Sequence, residues 1–217
     1  MISSIKWIAP VAALAALGAC SVSYDSSGPS SSETRTFSDF DSVDASAGVN
    51  VTLKQGGYNV QVSGPEGKLD GIKVVQNGKT LKVFRDGHNS WFSWGGHYQA
   101  TITAPTYVSL SASSGADVDG ENLNLERIEL EAGSGGDIEI SGTCKSVSGQ
   151  ASSGGDVNAE DLKCEDAEAQ SSSGGDVDLF ATASANGQAS SGGDVTFHGN
   201  PAKFTKQESS GGDVDSN

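Results

Sequence analysis

The sequence is short of the residues on which most catalysis and metal chemistry depend. Three histidines (His88, His97, His198) and three cysteines (Cys20, Cys144, Cys164) are spread over 217 residues. No histidine joins Cys144 and Cys164 in a metal motif. No nucleophile elbow, metalloprotease helix motif or phosphate loop occurs, so the pattern is that of a non-enzyme. Basic residues are also scarce, 13 against 28 acids, for a formal charge of −15. A chain this acidic is repelled by nucleic acid and by anionic head groups, which excludes nucleic acid as a partner. Long apolar runs are missing too. The one such run, Trp7 to Leu17, is too short to span a bilayer comfortably.

What is abundant is glycine, 29 residues, and much of it falls in one recurring phrase. Copies begin at Ser113 (SSGADV), Gly133 (GSGGDI), Ser152, Ser172, Ser190 and Ser209 (SSGGDV). Their aspartates, Asp117, Asp137, Asp156, Asp176, Asp194 and Asp213, are 20, 19, 20, 18 and 19 residues apart. A fixed period of this size marks a stacked repeat. After each aspartate stands Val118, Ile138, Val157, Val177, Val195 or Val214. Nine residues before the later five aspartates stand Ile128, Val147, Ala167, Ala185 and Phe204. Apolar and polar positions alternate, as in a strand with one buried face. The spacing has no room for helices, so the predicted fold is all-β: a parallel β-solenoid of about 19-residue rungs, each buried against its neighbours. The phrase is its corner, with glycine supplying positive φ. Small inward residues (Gly149, Ala167, Ala169, Gly187) predict a thin core in the middle rungs.

Residues 1–19 form a targeting segment, with Lys6 before a short apolar core. Leu17-Gly18-Ala19-Cys20 resembles the lipobox of a bacterial lipoprotein. That resemblance implies lipidation at Cys20, a membrane partner through the lipid anchor, and, from Ser21, sorting to the outer membrane. Residues 20–35 are serine-rich and predict a flexible tether. The domain then occupies 36–217, with an irregular β entry region at 36–112 and the regular repeats at 113–217. In the entry region, strand-like runs alternate with turn signals, and Asn77-Gly78 marks an antiparallel hairpin.

Ala47-Gly48-Val49-Asn50-Val51-Thr52-Leu53, then Tyr58-Asn59-Val60-Gln61-Val62 and Gly78-Lys79-Thr80-Leu81-Lys82-Val83, resemble the head GIN domain family. So does the later glycine-rich SG-G-D-[VI] phrase. Val49 stands where the family's name has isoleucine. The resemblance covers about Thr36 to Asn217. It implies a β-helical domain and a surface adhesion role, and it brings no catalytic residue with it.

Three constellations could carry function. Rungs ~4.8 Å apart would set the six aspartates in a ladder about 24 Å long. Neighbouring carboxylates at ~5 Å repel by about 1 kcal/mol in water and roughly 3 at an effective dielectric of ~20. Backbone N–H donors would offset this if the aspartates are turn caps. A bound calcium ion is the other reading. It wants six to eight oxygens, so Asp119, Glu139 and Asp178 would have to contribute. The second constellation is the loop from Asp86 to Tyr98, holding His88, Trp91, Phe92, Trp94, His97 and Tyr98. It reads either as a cap over the solenoid end or as a contact site for a glycan or an envelope protein. The third is the pair Cys144 and Cys164, each 12 residues before the next aspartate and so in one column of adjacent rungs. A disulfide and two buried thiols are both open, and either role is structural. Together these features predict a lipid-anchored envelope protein presenting a solenoid for adhesion or binding. A purely structural component and, less favoured, a polysaccharide-active enzyme are the alternatives.

Overall fold

The computed structural model describes residues 30–86 and 97–217. Its strands stack into a parallel β-solenoid with two long ladders that meet at the glycine-rich corner. One ladder is built from β2 (Ser42–Ser46), β6 (Thr80–Arg85), β8 (Ser109–Ser113), β10 (Arg127–Gly133) and β12 (Ser146–Ser152). It continues through the second halves of β13 (Asp156–Ser172) and β14 (Asp176–Ser190) to β16 (Lys203–Ser209). Their spatial order is β6, β2, β8, β10, β12, β13, β14, β16, all parallel. The other ladder holds β3 (Asn50–Gln55), β7 (Gln99–Ala104), β9 (Asp117–Asn124), β11 (Asp137–Thr143), the first halves of β13 and β14, β15 (Asp194–His198) and β17 (Asp213–Ser216). Its order is β7, β3, β9, β11, β13, β14, β15, β17. Among the described residues no helix is long and apolar enough to cross a membrane.

Alternation decides which side chains face in. Val118, Ile138, Val157, Val177, Val195 and Val214 lie in one register and are all buried. Ile128, Val147, Ala167 and Ala185 share another buried column, which ends at Phe204, 38% exposed. The core is thin where expected, and the two ladders fill each other's gaps. A Cβ on Gly149 would lie 2.9 Å from Val177, and one on Gly187 2.8 Å from Phe197. Small residues on one ladder thus receive Val177, Leu179 and Phe197 from the other.

The entry region is more regular than its sequence suggests. Residues 42–55 form a full rung lying between the Thr80–Ala104 layer and the first SSGADV rung. Asn50 pairs in register with Asp117, and Ala47 and Gly48 (φ 58° and 69°) repeat the backbone of Ser114 and Gly115 (55° and 71°). Ser46-Ala47-Gly48-Val49-Asn50-Val51 is therefore a seventh, divergent copy of the corner phrase. The outer layer is closed by antiparallel strands. These are β4 (Asn59–Pro65) on β7, β5 (Ile72–Asn77) on β6, and β1 (Ser30–Arg35) on β4. Ser30–Arg35, expected in the tether, is thus part of the sheet. Arg35 secures it by donating from Nη1 to the Ile72 carbonyl at 2.8 Å.

Candidate functional site

The corner is a two-residue turn repeated at fixed height. Its second serine and first glycine both have positive φ, as at Ser153 (55°) and Gly154 (70°). The Gly155 N–H donates to the Ser152 carbonyl at 3.1 Å, which makes the turn type I′. The second glycine serves a different need. A Cβ on Gly155 would lie 2.5 Å from the backbone nitrogen of Gly133, one rung away. The first glycine answers to torsion and the second to stacking.

This corner places the aspartates in register from Asp117 to Asp213. The Asp176 N–H donates to Asp156 Oδ1, and the Asp213 N–H to Asp194 Oδ1, each at 3.3 Å. Carboxylates in this column thus accept from the backbone of the following rung, which offsets part of their mutual repulsion. Partial burial, with Asp156 and Asp117 on either side, raises the Asp137 carboxyl above its ordinary range. Partial burial, with Asp156 and Asp194, does the same for Asp176. Asp119, Glu139 and Asp178, offered as extra calcium ligands, form with Asn158 a second row on the same face. Among the described residues no three Asp, Glu, His or Cys side chains converge to hold a metal ion. The acids make rows rather than a cage.

The aromatic loop divides. Trp91, Phe92, Trp94 and His88 lie outside the described residues. His97 is exposed, but Tyr98 is 9% exposed. The Arg85 guanidinium stacks 4.8 Å from the Tyr98 ring centre, and Gly64 and Gly71 leave room for the ring. Tyr98 is therefore a core residue, correcting its place among contact residues: alternation turns it inward just before β7. The flanks of the loop are informative. Phe84 pairs with Ser46 and Gln99 with Asn50, so the two described flanks stand in register with the ends of the Ser46–Asn50 corner.

Cys144 and Cys164 are joined by a disulfide, with Cα atoms 4.5 Å apart, tying adjacent rungs on the side away from the glycine corner. Cys20 lies outside the described residues.

One row of the candidate site escaped the sequence reading. Gln150, Gln170, Gln188 and Gln207 are paired in register on the outer face, preceded by Glu131. Beside them run Ser152, Ser172, Ser190 and Ser209. The two rows line a shallow groove of about 410 Å³ whose ends carry Glu131 and Glu208. All four glutamines are exposed, and among the described residues their amides make no hydrogen bond to each other or to any other protein group. The signal was present: each glutamine stands six residues before a repeat aspartate.

Residues 39–201 match the family described as "Putative auto-transporter adhesin, head GIN domain". Among curated proteins no significant match is found. A crystal structure described as a putative adhesin from Bacteroides fragilis is similar, with a TM-score of 0.71 and 20% identity. That likeness covers 88% of this chain and 99% of the other. A second, described as a putative lipid binding protein from Parabacteroides distasonis, has a TM-score of 0.50 and 19% identity, over 88% and 97%. At these identities the likeness is one of fold.

Proposed function

The chain belongs to the head GIN domain family, and on that premise we propose that it is a lipid-anchored, non-enzymatic binding module of the bacterial cell envelope. The observation that carries this reading is the arrangement of its polar groups. Carboxylates, amides and hydroxyls stand in long rows one rung apart, a geometry suited to an extended partner rather than to one reacting atom. The rows sit on a frame stiffened by continuous ladders and a disulfide, so little ordering cost falls on binding. Cys20 supplies the anchor, and Ser21 favours the outer membrane. The aromatic run Trp91, Phe92, Trp94 and His97 supplies a further contact.

The test is attachment. Cells producing the chain, its Cys20→Ala variant or its Trp91→Ala/Trp94→Ala variant are compared with cells lacking it, on glycan-coated and envelope-coated surfaces. Retention that depends on the chain and on Cys20, and is weakened by loss of the tryptophans, is the expected result. Equal retention of all four overturns the reading.

A further inference from the structure

The glutamine row is the least explained feature of the surface. The chain has eight glutamines, and four of them occupy one column on consecutive rungs. Stacked glutamines can stabilise a β-structure by bonding amide to amide. Here, among the described residues, they do not. Four glutamine side chains thus leave the backbone from strands ~4.8 Å apart, with donors and acceptors uncommitted among the described residues, flanked by a parallel row of serine hydroxyls.

We infer that this groove binds a linear, uncharged polysaccharide, one sugar unit to each rung. Three properties of the groove select that class. Amides and hydroxyls both donate and accept, as sugar hydroxyls do, so each rung can satisfy either sense of bond. The row from Gln150 to Gln207 is neutral on a chain of charge −15, and Glu131 continues its column at one end. An anionic polymer would meet that carboxylate and the field of an acidic chain, whereas a neutral one is not repelled. A rung spacing of ~4.8 Å is comparable with the length of a pyranose unit in an extended chain. A peptide strand would want free backbone groups, but those of the inner rungs are committed to the parallel ladders.

This inference rests on the binding role proposed above and specifies its ligand. The experiment is a titration of the full chain, labelled with ¹⁵N-glutamine, with cellohexaose, laminarihexaose and chitohexaose, each beside its disaccharide. At least one hexasaccharide is expected to shift the side-chain amide signals of Gln150, Gln170, Gln188 and Gln207. Gln55, Gln61, Gln76 and Gln99 should stay still. The matching disaccharide and the Gln170→Glu/Gln188→Glu variant should each bind roughly tenfold or more weakly, since each loses or mismatches polar contacts to the sugar hydroxyls. The inference is overturned if all three hexasaccharides leave the four amides unmoved at millimolar concentration. It is equally overturned if the variant binds like the parent, or if the amides shift with protein concentration alone, which would make a second copy the occupant. Cells that attach while the groove amides stay still would sink this inference and spare the binding role. Amides that shift while attachment is independent of the chain would do the reverse.

Discussion

Glu208 accepts a hydrogen bond from the backbone N–H of Val214 at 2.9 Å, folding a charged side chain over the last strand of the solenoid. Its neighbour Lys206 donates to the Val214 carbonyl at 3.0 Å and pairs with Glu208 at 2.7 Å. Both occupy inward columns: Gly187 pairs with Lys206 and Ala189 with Glu208. Where another rung would have put apolar side chains, the chain places one cation and one anion and bonds them to backbone groups at the open edge. Inward-pointing charge is a recognised way to stop strands from adding to an edge.

Removing that device should expose the edge. The Lys206→Ala/Glu208→Ala variant is expected to self-associate end to end, while the parent stays monomeric at the same concentration. Sedimentation velocity checks this, and a monomeric variant would show that the edge needs no such guard.

The paired glycines of a corner should differ in sensitivity. Alanine at Gly154 meets nothing within 4 Å and suffers only its φ of 70°, a cost of about 1–2 kcal/mol. Alanine at Gly155 drives a Cβ into the backbone of Gly133 and should cost more, on the order of 3 kcal/mol. Denaturant midpoints of the two variants should fall in that order.

Stability should rise on mild acidification. The Asp137 and Asp176 carboxyls lie above the ordinary value of 3.8 in the folded chain, through burial and facing carboxylates. In the window above 3.8 the folded state therefore holds more protons than the unfolded one. This contribution is fully present below that window and is lost as pH rises through the folded values. The thermal midpoint should increase as pH falls from neutrality into this window. Asp137→Asn/Asp176→Asn should raise the midpoint at pH ~7 and flatten its pH dependence. Unchanged slopes would mean that backbone donors already neutralise the ladder.

The disulfide closes a segment of 20 residues between adjacent rungs. Replacing both cysteines by serine should lower stability by about 3 kcal/mol on a chain-entropy account. The register should survive, since the corner turns and inward valines set it. Circular dichroism would keep its β signature while the denaturation midpoint falls.

The corner phrase and its period are enough to specify stacked strands, inward valines and an aspartate column, because alternation and positive-φ glycine are local properties. Asn50 shows where local reading stops. Its phrase, Ser46 to Val51, keeps the backbone of a corner but has lost the aspartate and the second glycine, so it could be recognised only through its partner Asp117. Tyr98 shows the same limit: next to a polar, aromatic loop it looks exposed, yet Arg85, Gly64 and Gly71 make a place for its ring. The glutamine column lay within reach of the sequence, because its offset from the aspartates is constant. That its amides make no hydrogen bond among the described residues is a fact of three dimensions. The sequence by itself thus determined the rung, its corner and its period. Only the tertiary structure decided which rungs adjoin. The Thr80–Ala104 layer lies outside the earlier Ser42–Gln55 rung, because parallel pairing is selected by complementary faces and not by order along the chain.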